Sequence, residues 1–290
     1  MSDGAPIVWL ARHRRLELGR RSLVMGVLNV TPDSFSDGGR FLDSAAAVRQ
    51  AHRMIAEGAD LLDIGGESTR PGAAPVPAGE EIRRVVPVIE ALRSFSDLPV
   101  SVDTRKAAVA ERALAAGADI INDVSALTAD PAMAGVAARY SAGVVLMHMQ
   151  GTPETMQHDP KYGRVAEEVR DFLADRLEAL EGQGLARETL ALDPGICFGK
   201  TLEHNVRLLA RLDALAALGR PVVVGVSRKS LIGRITGREV GERLAGSLAA
   251  GAWALAHGAH IIRVHDVKES CDMARVVDML KQEPRRDEPV

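Results

Sequence analysis

Eight short, apolar, β-branched segments recur along the chain, each followed by a longer segment of helical period, and this alternation restricts the fold more than any other feature. The expected strands are Leu23–Leu28, Asp60–Ile64, Val100–Val102, Asp119–Ile121, Gly143–Met147, Thr189–Leu192, Val222–Val226 and His260–Val264. Helices are expected over Asp43–Glu57, Gly79–Arg93, Lys106–Ala116, Tyr162–Glu181, Leu202–Leu218 and Val240–His257, with a last one from Lys268. Units of this kind wind a parallel sheet and cover it with helices. One helix-to-strand corner repeats, as Glu57-Gly-Ala-Asp60, Ala116-Gly-Ala-Asp119 and His257-Gly-Ala-His260, with a glycine suited to the left-handed helix C-cap. The repetition favours eightfold winding over an open, doubly wound sheet. The expected fold class is therefore α/β, a single (β/α)8 TIM barrel over residues 23–282. Residues 1–22 are expected to form an N-terminal segment with a short hairpin closing the barrel bottom, and residues 283–290 a flexible tail.

Composition removes several classes of function. A net charge of -3 and 3% aromatic residues speak against nucleic-acid partners, which call for a basic surface or stacking platforms. No apolar run reaches the length of a membrane span, and the apolar stretch Ala5–Ala11 precedes its basic cluster instead of following it, so neither a membrane nor a secretory role is expected. The cytoplasm is the expected location. Cys197 and Cys271 lack metal-ligand spacing and read as two free thiols.

Polar residues stand at or just beyond all eight strand ends: Asn29, Asp63, Asp103, Asn122, His148, Asp193, Lys229 and His265. Each alone could cap a helix or hold a turn, but eight on one rim describe a ligand site at the C-terminal mouth of a barrel. Asp103, Asn122 and Asp193 offer acceptors and one amide donor, which complements a flat heterocycle carrying an amino group beside a ring N–H. Ser227-Arg-Lys-Ser230 opens a helix after the seventh strand and Arg263-Val-His265 ends the eighth, the region where barrels bind phosphate. Two long loops, Asn29–Leu42 and Gly65–Ala78, follow the first two strands and carry the glycine pairs Gly38-Gly39 and Gly65-Gly66, as closing loops do. Gly195 to Thr201 imitates a phosphate-binding loop, but three residues separate its glycines where four are required. His148 reads as a hydrogen-bonded supporting residue.

These stretches carry a resemblance. Met25-Gly-Val-Leu-Asn-Val-Thr-Pro-Asp-Ser-Phe-Ser-Asp-Gly-Gly39, Gly65-Gly-Glu-Ser-Thr-Arg-Pro-Gly72, Ser101-Val-Asp-Thr104, Asn122-Asp-Val-Ser125, Asp193-Pro-Gly195, Ser227-Arg-Lys-Ser230 and Arg263-Val-His265 resemble the dihydropteroate synthases of folate biosynthesis. The likeness spans about Leu23 to Leu280, and one departure is Cys197, where the family often has glycine. The resemblance implies an alkyl-transferring enzyme that condenses 6-hydroxymethyl-7,8-dihydropterin diphosphate with 4-aminobenzoate, with Mg2+ as cofactor. It implies that Asp103, Asn122, Asp193 and Lys229 hold the pterin, that Asn29, Arg263 and His265 hold the diphosphate, and that Asn29 ligates the metal. Thr69, Arg70, Pro71, Phe198 and Ser230 would shape the aminobenzoate site. The expected catalytic set is Asn29, Arg70, Asp103, Asp193, Lys229, Arg263 and His265.

Two rivals share the pterin pocket: a barrel methyltransferase handing a methyl group to a corrinoid protein, and a catalytically silent pterin-binding scaffold. The anion side distinguishes them, because a methyl carrier has no need of Arg263, His265 and the Asn29 loop. Beyond its small-molecule substrates the chain is expected to meet a second copy of itself. Gly246, Ala250 and Gly251 permit close packing either within the barrel or between subunits, and the family resemblance implies a homodimer.

Overall fold

The computed structural model describes residues 6–31, 40–69 and 72–282. A hairpin comes first, β1 (Ile7–Ala11) and β2 (Arg14–Leu18), antiparallel with Ile7 opposite Leu18. Eight parallel strands follow: β3 (Leu23–Asn29), β4 (Leu61–Gly65), β5 (Val100–Asp103), β6 (Ile120–Asp123), β7 (Gly143–Met147), β8 (Leu190–Asp193), β9 (Val223–Val224) and β10 (Ile261–Val264). They pair in the order β8-β7-β6-β5-β4-β3-β10-β9, and a parallel bridge from Leu192 to Val222 joins the two ends into a closed barrel.

Between the strands run α1 (Arg40–Ala56), α2 (Ala78–Arg93), α3 (Ala107–Ala115), α4 (Met133–Tyr140), α5 (Val165–Gly182), α6 (Leu202–Leu209), α7 (Asp213–Ala216), α8 (Ser230–Thr236), α9 (Leu244–Ala256) and α10 (Val267–Gln282). The expected strands and most helices fall within a few residues of these bounds. Two helical expectations are corrected. The single helix expected over 202–218 is two, α6 ending at Leu209 before α7 starts at Asp213. Helix α4 was not among the expected segments, being short, poor in large apolar residues and without a side-chain cap.

Period-2 alternation divides the sheet into an outer face against the helices and an inner face filling the barrel. Inner residues Leu23, Met25, Leu61, Ile120, Val145, Ala191, Val223 and Ile261 form one apolar cluster, which Trp9, Ala11 and Leu18 of the hairpin complete from below. Trp9 is fully buried and donates its Nε1–H to the Thr189 carbonyl at 2.8 Å. Arg12, in the hairpin turn, donates Nη1 to the carbonyls of Leu114 and Ala118 at 3.0 and 2.9 Å. At Gly143 a Cβ would stand 2.9 Å from the Ala11 Cβ, so only glycine lets the hairpin seat against β7.

The repeated corners do two jobs. Gly58, Gly117 and Gly258 lie at φ 100, 114 and 110°, the left-handed values expected of a helix C-cap. The polar residue two places on then accepts a backbone N–H from a neighbouring strand: Asp60 from Val24 at 2.8 Å, Asp119 from Val100 at 3.0 Å, and His260 Nδ1 from Val222 at 3.2 Å. Burial, assisted by the Lys281 charge, lowers the His260 pKa to about 4, so the ring is neutral as an acceptor must be.

Candidate active site

The alternation that fills the barrel bottom also builds its mouth. Two residues beyond the apolar layer, the inner face presents Asp63 after Leu61, Asn122 after Ile120, Asp193 after Ala191, Gly225 after Val223 and Arg263 after Ile261. Asp103 stands likewise after the buried Ser101. Asp63, Asp103, Asn122 and Asp193 are all buried, while Asn29, Lys229, Arg263 and His265 are half-buried at the rim.

These side chains are wired together. The Asp63 Oδ2 accepts the Asn122 Nδ2–H at 3.0 Å and the Arg263 Nε–H at 2.6 Å, and Arg263 Nη2 donates to Asp103 Oδ2 at 2.8 Å. Burial pushes the Asp103 carboxyl up to about 7 despite the pull of Arg263. Burial also opposes the Arg263 charge, yet Asp63 and Asp103 beside it hold its pKa above the usual range. Asp193 accepts the Gly195 N–H at 2.7 Å, and burial raises its pKa against the pull of Lys229. Lys229, at the N-cap of α8, donates to the Ile196 carbonyl at 2.8 Å and sits 4.9 Å from the Phe198 ring centroid, and burial lowers its pKa. A Cβ at Gly225 would lie 3.5 Å from Lys229 Nζ and 3.7 Å from the Arg263 Cβ, in ordinary van der Waals contact with both.

The β9 and β10 ends form the corner where an anion is expected. Ser227 Oγ accepts the His265 backbone N–H at 3.2 Å and lies 3.1 Å from His265 Nδ1, and Arg228 Nε donates to Asp266 at 3.0 Å. Ser230, first residue of α8, is exposed at the same corner. Next to this corner, on the strands that follow β10 round the barrel, Asn29 Oδ1 and Asp103 Oδ2 both approach Gly65, at 3.6 and 3.8 Å from where its Cβ would be. Thr69 is half-buried in the loop after β4, whereas Arg70 and Pro71 lie outside the described residues, as do Gly38 and Gly39. That loop is clamped at its described ends: Glu67 accepts the Val76 N–H at 2.7 Å and pairs with Lys106 at 3.0 Å, Lys106 reaches Glu81 at 2.6 Å, and Arg84 holds the Gly66 carbonyl at 2.8 Å.

The resemblance implies a diphosphate role for Arg263. Its guanidinium is bound by the two carboxylates Asp63 and Asp103, so it stands between the residues expected to hold the pterin and those expected to hold the diphosphate. Lys200, expected only as part of a failed phosphate-loop match, is almost fully buried and donates Nζ to the carbonyls of Gly195 and Phe198 at 3.0 Å, within 3.0 Å of His148 Nδ1. Burial, with Lys200 beside it, lowers the His148 pKa to about 3, which fits the supporting role read for this histidine. Cys197 has φ +68°, the region that favours glycine. Both cysteines are free, as expected.

A family model described as pterin binding enzyme matches residues 25–265. The dihydropteroate synthase of Escherichia coli K12 is 50% identical over 255 residues, covering 88% of this chain and 90% of that one. The chain belongs to the dihydropteroate synthase family of pterin-binding enzymes. A solved dihydropteroate synthase of Xanthomonas albilineans with 4-aminobenzoic acid superimposes with a TM-score of 0.90 at 48% identity, covering 97% of this chain and all (100%) of that one. Another from the same organism, in complex with 7,8-dihydropteroate, gives a TM-score of 0.87 at 46% identity and covers 96% of this chain and 100% of that one. Within this family the strand-end residues Asn29, Asp103, Asn122, Asp193, Lys229, Arg263 and His265 share one mouth. Lys200 and Glu67 are the residues added by the fold, and for Asp63, already expected at a strand end, the fold adds its partners Asn122 and Arg263.

Proposed function

We propose that this dihydropteroate synthase joins 6-hydroxymethyl-7,8-dihydropterin diphosphate to 4-aminobenzoate, releasing 7,8-dihydropteroate and diphosphate, at the single mouth of its barrel. The observation carrying this reading is the juxtaposition of three buried acceptors, Asp103, Asn122 and Asp193, with Lys229, whose ammonium also covers the Phe198 ring. One lysine therefore touches both the side assigned to the pterin and the side assigned to the arylamine.

The aminobenzoate nitrogen attacks the exocyclic methylene of the pterin, the C–O bond to diphosphate breaks, and the arylamine then loses a proton to solvent. Because the ring is electron-rich, diphosphate can begin to leave before the amine arrives. Asp103, Asn122 and Asp193 fix the ring by its N–H donors, and Lys229 and Phe198 wall the methylene from water. His265 and the N-terminal amides of the helix after β9 stabilise the charge of the leaving group, and Arg263 links that corner to the pterin carboxylates. Thr69, Arg70, Pro71 and Ser230 complete the aminobenzoate side. A weakly basic arylamine needs no strong general base, and none of the buried carboxylates has to act as one.

The donor set at Asn29 suits a hard cation sparsely held by protein. A single amide oxygen faces the space above Gly65 beside Asp103, and no group of three His, Cys, Asp or Glu side chains able to enclose a metal occurs among the described residues. Mg2+ would be held by Asn29 together with diphosphate oxygens, supplying charge neutralisation to the leaving group.

A homodimer is part of this reading. The small residues of α9 do not supply the contact: a Cβ at Gly246 would strike Ile232 of α8, and one at Gly251 would come within 3.0 Å of Met273 of α10. The support lies in exposed apolar side chains on the neighbouring surface, Ile235, Val240, Trp253, Val276, Met279 and Leu280. No helix among the described residues is long and apolar enough to cross a membrane, and we place the enzyme in the cytoplasm. Purified protein given both substrates and Mg2+ should release diphosphate only when 4-aminobenzoate is present. Absence of dihydropteroate under those conditions would overturn the assignment.

A further inference from the structure

Asp63 is fully buried halfway along β4, at the level where the barrel interior turns from apolar to polar. One of its oxygens, Oδ2, accepts from both Asn122 Nδ2 and Arg263 Nε, at 3.0 and 2.6 Å. A carboxylate paired with a guanidinium has no hydrogen to give, so the end of the Asn122 amide that faces it must be the NH2. The two ends of an asparagine amide are otherwise the same in shape. A carboxamide without this neighbour could turn either end to the ligand, and would then accept from a ring N–H or donate to a ring acceptor with equal ease.

We propose that Asp63 is a positioning residue that sets the hydrogen-bonding polarity of the pocket, forcing Asn122 to meet the ligand as an acceptor through Oδ1 while holding Arg263 across to Asp103. The inference rests on the pterin reading given above and sharpens it. With Asn122 fixed, the heterocycle meets three acceptors, Asp103, Asn122 Oδ1 and Asp193, beside at most the one Asn122 N–H that Asp63 does not take. The pocket therefore selects a ring edge carrying amino and ring N–H donors, and a ring edge of acceptors would leave buried oxygens unpaired. Asp63 does this without touching the ligand, through Asn122 on one side and Arg263 on the other, 200 residues further along the chain.

Asp63→Ala removes the acceptor, while Asp63→Asn keeps an acceptor oxygen of the same shape without the charge. Steady-state kinetics of both variants with both substrates, and the 1H–15N signal of the Asn122 side-chain amide in the ligand-free protein, assigned by its loss in Asn122→Ala, test the proposal. For Asp63→Ala the expected result is a rise of about tenfold or more in KM for the pterin diphosphate, with KM for 4-aminobenzoate within about twofold of wild type. Asp63→Asn should recover part of that loss, and the Asn122 amide protons should move upfield in both variants. An unchanged pterin KM in Asp63→Ala overturns the proposal, as does an equal rise of both KM values that Asp63→Asn fails to relieve. Where Asp63→Ala does not fold, an unmoved Asn122 signal in Asp63→Asn overturns it. A wild-type protein that makes no dihydropteroate overturns the reaction proposed above, whereas the amide signal, read without substrate, still decides the role of Asp63.

Discussion

Asp103 holds its charge at a cost that the ligand can offset. Its pKa is raised from the carboxylate value of 3.8 to about 7 because it is buried, so the protonated form is favoured below about pH 7 and the charged form above it. The stabilising contribution of that proton is complete below pH 4 and is lost as pH rises through about 7. Ligand-free wild type should therefore lose thermal stability relative to Asp103→Asn between pH 4 and 7, and the difference should narrow when a pterin supplies N–H donors. A difference in melting temperature between the two proteins that is flat with pH would contradict this. Cys197 bears a different strain, since a left-handed backbone costs a side-chain-bearing residue roughly 1–2 kcal/mol. Glycine removes that strain but gives back part of it as unfolded-chain entropy, so Cys197→Gly should be neutral or stabilising by up to about 1 kcal/mol in urea titrations. Cys197→Val, β-branched in the same conformation, should be destabilising, and the reverse order of the two would refute the strain.

Among the elements, the N-terminal hairpin contributes more than its ten strand residues suggest, because it supplies the floor of the barrel. Trp9→Ala should cost about 3–5 kcal/mol, the range for large-to-small changes in a core, and it also strands the Thr189 carbonyl. A loss below about 1 kcal/mol in denaturant unfolding would show the hairpin to be dispensable. The elements also show what is readable in a linear chain. Strands buried on both faces leave continuous apolar runs, and turn glycines end them, so β3 to β8 and β10 stand out in the sequence. Helix α4 does not, since Met-Ala-Gly-Val-Ala-Ala carries little apolar period. Strand β9, two residues long, is shorter than its apolar run. In the site, Asp103, Asn122 and Asp193 are legible as polar residues ending apolar strands. The Asp63–Arg263 pair and the burial of Lys200 are not, because partners far apart in sequence leave no local trace, and a buried lysine is spelled like a solvated one.

At the scale of the whole molecule, the exposed apolar side chains of α8 to α10 give the chain a face that water should not cover alone. Sedimentation velocity should find a dimer, and Val276→Glu combined with Met279→Glu, both at exposed positions on α10, should release monomers that keep the wild-type far-ultraviolet spectrum. A wild-type protein that sediments as a monomer would remove the homodimer from the proposal. The cylinder itself is not uniformly stitched: seven strand pairs carry ladders, while β8 and β9 meet at the single bridge of Leu192 and Val222. Above this seam lie Asp193 and the loop holding Cys197, Phe198 and Lys200 on one bank and Lys229 on the other, and the Lys229 bond to Ile196 is the span across them. The weakest joint of the wall thus lies beneath the residues proposed to grip both substrates. A ligand that engages Asp193 and Lys229 together acts as a staple, and occupancy of the pocket should propagate downward as rigidity of the barrel it sits on.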